Sequence, residues 1–265
     1  MTRRLIKYPM AIETDYIIYK DKRIFYRSGG RDKTNPLILI HGLAGDSRLF
    51  HNQLKFFASY CRVIAPDLPG HGKSEAFDNN TVSLYSEAVN GIIEYEGLEN
   101  IILLGHSMGG AVAVQYYLAN RARVKALILV STSHKFNIDA ADPVKAEEDF
   151  GSFYNSLITG SFSRKAGIFL MASGNSIPET QKKALIADLE ICAAIDFEDN
   201  LSEIKIPALI IANRDDAVLD SRLTEEMSKK IEGSRLVIFN NSGHVPFFEE
   251  STSFNLEVKK FMETI

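Results

Sequence analysis

The stretch Ile101-Ile-Leu-Leu-Gly-His-Ser-Met-Gly-Gly110 constrains this chain more than any other. Four consecutive apolar residues are the pattern of a strand buried on both faces. The chain then turns on Gly105-His106-Ser107-Met108-Gly109 and continues through Ala111–Asn120 with residues that suit a packed helix. Strand, tight turn with a serine at its tip, helix: this is the setting of a nucleophile elbow. Glycines two before and two after the serine let strand and helix approach without Cβ clashes. The serine is then held in a strained conformation with Oγ at the C-terminal edge of the sheet. The helix N-terminus behind it offers N–H groups and a favourable dipole to a developing anion.

The rest of the chain supplies partners for that strand. Tyr16–Tyr19 and Arg23–Tyr26, joined by Lys20-Asp21-Lys22, read as a hairpin. Leu37–Ile40 and Arg62–Pro66 read as strands that end at His41-Gly-Leu-Ala-Gly45 and Asp67-Leu-Pro-Gly-His-Gly-Lys-Ser74. Asp46 or Ser47 is placed to cap a helix running to about Ser59, and a second helix is expected over Val82–Tyr95. Ala126–Val130, Ala208–Ala212 and Arg235–Phe239 complete the strand set, with helices near Leu219–Ile231 and from Glu250 to the end. Apolar strands separated by helices predict a mainly parallel sheet covered on both faces, joined by right-handed crossovers. Between Ser133 and Ile206 the alternation stops. Helical pieces over Pro143–Thr159, Ser163–Ala172 and Pro178–Ile195, rich in aromatic residues, predict an insertion.

A serine hydroxyl is a weak nucleophile until a base takes its proton, and the base needs a carboxylate to orient it. The strand at Ala208–Ala212 is followed by Asn213-Arg-Asp-Asp216, and the strand at Arg235–Phe239 by Asn240-Asn-Ser-Gly-His244. Both segments fall at C-terminal strand ends, the edge that carries Ser107, so Asp215 or Asp216 and His244 are the candidates.

These motifs, with Ser242-Gly-His-Val-Pro246, resemble the α/β-hydrolase superfamily in its lidded, esterase-like branch, from about Ile17 to Glu250. The resemblance implies an eight-stranded, mainly parallel sheet flanked by helices, with residues 1–132 and 207–265 as the core and 133–206 as a helical cap. It implies Ser107 as nucleophile, His244 as base and an oxyanion hole made by the backbone N–H groups of Leu43 and Met108. Family members often carry Gly-x-x-Asp where this chain has Ala212-Asn-Arg-Asp215. That spacing favours Asp215 as the acid and leaves Asp216 as the alternative. Haloalkane dehalogenases and epoxide hydrolases of this fold use Asp at the nucleophile position, so Ser107 argues against both.

The expected reaction is hydrolysis of carboxylic esters or lactones of small to medium apolar substrates through an acyl-enzyme, with no cofactor and no metal. Two alternatives are a carbon–carbon bond hydrolase, for which Arg164, Lys165 or Arg214 would hold a carboxylate, and a slow-turnover ligand receptor. A net charge of −4 gives no electrostatic case for nucleic acid, and no apolar run reaches the ~20 residues of a membrane span. Cys61 and Cys192 form no disulfide framework, and no apolar leader follows the first residues. The chain therefore reads as cytoplasmic, monomeric or homodimeric. His41, His71 and His106 are expected to make loop hydrogen bonds near the site, and Asp67 to fix the Pro69–Gly72 turn.

Overall fold

The computed structural model describes residues 11–136, 147–162 and 179–265. Alternation along each strand explains why the central strands are apolar throughout. In β3 (Leu37–Ile40), Ile38 and Ile40 point into one core while Leu37 and Leu39 point into the other. In β5 (Ile101–His106), Leu103 joins the first core, and Ile102 and Leu104 the second. A polar residue on either face would lose its hydration without gaining a partner, whereas each buried Leu or Ile contributes roughly 1.5–3 kcal/mol.

The sheet has eight strands in the order β1-β2-β4-β3-β5-β6-β7-β8. β1 (Glu13–Tyr19) and β2 (Lys22–Gly29) form the expected hairpin, and β2 runs antiparallel to β4 (Val63–Pro66). From β4 onward every pairing is parallel, through β3, β5, β6 (Val124–Val130), β7 (Ala208–Asn213) and β8 (Arg235–Phe239). The loops after these six strands therefore share one edge, and that edge carries His41, Asp67, Ser107, Asp216 and His244.

Helices α2 (Val82–Tyr95) and α3 (Met108–Ala119) cover one face. α1 (His51–Phe57) and the C-terminal helix Ser251–Met262 cover the other. Thr81 caps α2, its hydroxyl accepting the Leu84 N–H at 3.1 Å. Asp46 rather than Ser47 makes the cap before α1, where a 3-10 turn over Ser47–Phe50 comes first and the helix stops at Phe57. α3 buries nearly its whole circumference, which is why its sequence has no polar stripe.

Between β6 and β7 the described residues hold helices α4 (Phe150–Ser161) and α5 (Glu179–Ala194) and no sheet strand, only an isolated bridge between Lys135 and Asp196. The helix expected over Ser163–Ala172, and Arg164 and Lys165 with it, lie outside the described residues. α4 and Phe162, just beyond it, lie near three of the edge loops. A Cβ on Gly160 would lie 3.8 Å from Val218, Phe162 meets Phe248 edge-on at 5.6 Å between ring centroids, and the Tyr154 hydroxyl has its pKa raised by burial and by the nearby Asp46 charge.

Candidate active site

Ser107 sits between β5 and α3 with φ 53° and ψ −125°, a conformation that costs an L-residue roughly 1–3 kcal/mol. The neighbouring glycines make it attainable. A Cβ on Gly105 would lie 2.3 Å from the Gly109 carbonyl oxygen, and one on Gly109 would lie 2.3 Å from that of Ile40. The turn is also braced by a residue the sequence did not single out. The Thr132 hydroxyl donates to the Ser107 carbonyl at 2.8 Å, and the Thr132 carbonyl in turn accepts from the Thr224 hydroxyl at 2.8 Å. Ser107 is buried by this packing but not sealed, 7% exposed overall. α3 begins at the next residue, so the Met108 N–H belongs to the first turn, where no intrahelical acceptor exists.

His244 follows β8. Its Nδ1–H donates to Asp216 Oδ2 at 2.8 Å, and its backbone carbonyl accepts from His106 Nε2–H at 2.8 Å. The imidazole is thus fixed at one nitrogen by a buried carboxylate and tethered through its main chain to the residue before Ser107. With Nδ1 protonated, Nε2 carries the lone pair. The His106 ring also lies 4.8 Å from the His244 ring, tilted by 57°, and its Nδ1 is buried without a partner among the described residues. Burial, then the neighbouring His244, push its pKa well below the usual histidine value.

The carboxylate that meets His244 is Asp216, not Asp215. Asp215 is exposed, and its N–H donates to the Ser242 carbonyl at 3.3 Å. Asp216 turns inward because its Oδ1 accepts the N–H groups of Val218 and Leu219, both at 2.9 Å, which leaves Oδ2 for the histidine. The carboxylate that reaches the histidine thus lies one residue beyond Asp215, the position favoured by family spacing, and is the alternative that spacing left open. Arg214, considered above as a carboxylate anchor, is engaged with Glu225 at 3.1 Å.

Of the other motif residues, Asp67 ties two loops, accepting from Ser47 N–H and Lys73 N–H at 2.8 Å each. His41 takes the Leu68 N–H on Nε2 at 2.9 Å and donates from Nδ1 to the Gly42 carbonyl at 2.8 Å. That pattern requires the neutral ring, and burial together with the positive charge of His71 lowers its pKa. Leu43 follows in the same loop, half-buried, with Ala44 beyond it at φ 58°. Cys61 and Cys192 are buried free thiols. Among the described residues no group of three or more His, Cys, Asp or Glu converges as a metal site would need, and no helix is long and apolar enough to cross a membrane.

A strained serine on a strand-to-helix turn, with a carboxylate-held histidine three strands away on the same edge of an eight-stranded sheet, defines a class. The chain belongs to the α/β hydrolase fold family, whose pattern it matches over residues 35–251. It is 27% identical over 240 residues to a pimeloyl-[acyl-carrier protein] methyl ester esterase of Legionella pneumophila (strain Corby), covering 86% of this chain and 95% of that protein. Its fold is similar to that of a thermophilic esterase from Thermogutta terrifontis, with a TM-score of 0.85 at 22% identity over 95% of this chain and 98% of the other. It is similar as well to an enol-lactonase from Burkholderia xenovorans LB400, with a TM-score of 0.84 at 22% identity over 94% and 100% of the two chains.

Proposed function

We propose that the protein is a serine hydrolase of carboxylic esters or lactones, with Ser107 as nucleophile, His244 as general base and acid, and Asp216 as the orienting carboxylate. The observation that carries this reading is the Asp216–His244 hydrogen bond at 2.8 Å, made by a histidine whose main chain is held by the neighbour of a strained serine. Asp216 fixes the tautomer in which Nε2 accepts the Ser107 proton, and its charge stabilises the imidazolium that results. Ser107 Oγ then bonds to the carbonyl carbon, and the oxyanion is received by the N–H groups of Leu43 and Met108. His244 returns its proton to the leaving alkoxide, giving the acyl-enzyme, and next activates a water that releases the acid. The ester and enol-lactone hydrolysis after which the similar proteins are named is chemically this same acyl transfer to water.

The segment from Ser133 to Ile206 acts as a cap on the site. Its support is the Phe162–Phe248 ring contact beyond β8, the approach of Gly160 to Val218 beyond β7, and the influence of the Asp46 charge, beyond β3, on Tyr154. Phe162 and Phe248 would make that boundary apolar and suit an apolar acyl or alkoxy group. Pre-steady-state turnover of a p-nitrophenyl ester series, with a matched lactone, tests the reading. A burst of about one nitrophenolate per protein molecule is expected, and Ser107→Ala should abolish it. Undiminished turnover by Ser107→Ala would overturn the assignment.

A further inference from the structure

Asp188 lies on α5 with its side chain wholly inaccessible to solvent, yet it is absent from every motif in the sequence. Donors from the core converge on it. The Tyr85 hydroxyl of α2 donates to Oδ1 at 2.8 Å, His71 Nε2–H donates to Oδ2 at 2.8 Å, and the Ala44 N–H reaches Oδ2 at 3.4 Å. The other His71 nitrogen, Nδ1, is 3.1 Å from the Pro69 carbonyl. Both ring nitrogens therefore face acceptors, and only the doubly protonated ring donates to both. Burial opposes that charge, but the Asp188 carboxylate and the Pro69 carbonyl outweigh it and hold the His71 pKa above its usual value. His41, 5.0 Å away between ring centroids, is held neutral by the hydrogen bonds described above.

A buried ion pair is a poor device for stability alone, since apolar residues of the same volume do as well or better. What this one does is fix positions. It joins the inserted helix to the His71 loop, to α2 and to Ala44, whose left-handed backbone follows directly on Leu43. We propose that Asp188 is a positioning residue for the oxyanion loop: it seats α5 on the core and, through the Ala44 N–H, sets the direction of the Leu43 N–H, so the site is complete only with the insertion in place. This inference rests on the reading of Ser107 and Leu43 given above.

The test compares wild type, Asp188→Asn, Tyr85→Phe and Ser107→Ala in steady-state turnover of a p-nitrophenyl ester and in inhibition by a trifluoromethyl ketone, which forms the tetrahedral adduct on a nucleophilic serine. A misaimed donor forfeits part of the roughly 10²–10³-fold that an oxyanion N–H supplies. Asp188→Asn should lower kcat by about 10–100-fold with KM within about twofold, and should weaken the ketone by the same factor as kcat/KM. Tyr85→Phe, which leaves no charge unpaired, should show the same split at about 3–10-fold, and it decides the question if Asp188→Asn does not fold. Wild-type kcat in the folded variants, a loss confined to KM, or unchanged ketone affinity would overturn the proposal. Full turnover by Ser107→Ala would instead overturn the serine reading itself, whereas an inactive Ser107→Ala beside a fully active Asp188→Asn defeats only the role given to Asp188.

Discussion

Asp215 and Asp216 are adjacent and chemically identical, so exchanging each for Asn separates position from chemistry. In Asp216→Asn the amide oxygen keeps the two N–H groups of Val218 and Leu219 that Oδ1 now accepts at 2.9 Å. The amide nitrogen then takes the place of Oδ2, 2.8 Å from His244 Nδ1. Two donors cannot share that contact, so the imidazole moves its proton to Nε2 and can no longer accept one from Ser107. The same change in a Ser-His-Asp triad costs about 10⁴ in kcat, about 5.5 kcal/mol of transition-state stabilisation at 1.36 per tenfold. The backbone contacts survive, so the fold should too. Asp215→Asn alters an exposed side chain and should change the rate by no more than about twofold, with stability within about 0.5 kcal/mol. Steady-state kinetics with p-nitrophenyl butyrate, alongside thermal unfolding of both variants, would check this. An inactive Asp215→Asn beside a near-normal Asp216→Asn would refute the tautomer argument.

Three further outcomes follow from the geometry. Ser107→Gly should abolish turnover yet raise Tm by about 2 °C, because glycine adopts φ 53° without strain; calorimetry showing a lower Tm would contradict the strain at the elbow. Gly109→Ala would drive a Cβ to 2.3 Å from the Ile40 carbonyl oxygen and 2.5 Å from that of His41, so it should destabilise by at least about 3 kcal/mol in urea unfolding, with wild-type stability the contrary result. His41 and His106 have lowered pKa values in the fold, so the unfolded chain binds their protons first and stability should fall as pH drops below about 6.5. His71, with its pKa raised, contributes the opposite limb: its stabilisation is present at low pH and lost as pH rises through its folded value. Urea midpoints measured across this range in wild type and His71→Asn should show the alkaline loss in the first and not the second; identical profiles would contradict the charged state given to His71.

The sheet was legible because its strands are buried on both faces, which leaves uninterrupted apolar runs such as Leu37–Ile40 and Ile101–Leu104. The elbow was legible because its glycines flank the serine at fixed spacing, where a Cβ would strike backbone: that of Gly109 in one case and of Ile40, on the neighbouring strand, in the other. The family spacing pointed to Asp215 because nothing in it reveals the bend after β7 that turns Asp216 toward His244. The local signal lay in Asp216-Ala-Val-Leu219, an Asp able to accept the N–H groups two and three residues on, which fixes one oxygen and frees the other. Thr132 and Asp188 left no comparable trace. Their partners Ser107, Tyr85 and His71 are 25, 103 and 117 residues away, and only the folded topology brings them together. His71 read correctly as a residue of loop hydrogen bonds, but its charge depends on a carboxylate from a helix the motifs do not mark.

If the proposed function holds, Ser107 is the one nucleophile of an acyl-transferring site. Labelling with a fluorophosphonate, followed by peptide mass spectrometry, tests it without knowledge of the substrate. One adduct is expected, on Ser107, formed slowly or not at all in Asp216→Asn and absent in Ser107→Ala. An adduct that survives Ser107→Ala, or a wild-type protein that takes none, would contradict it.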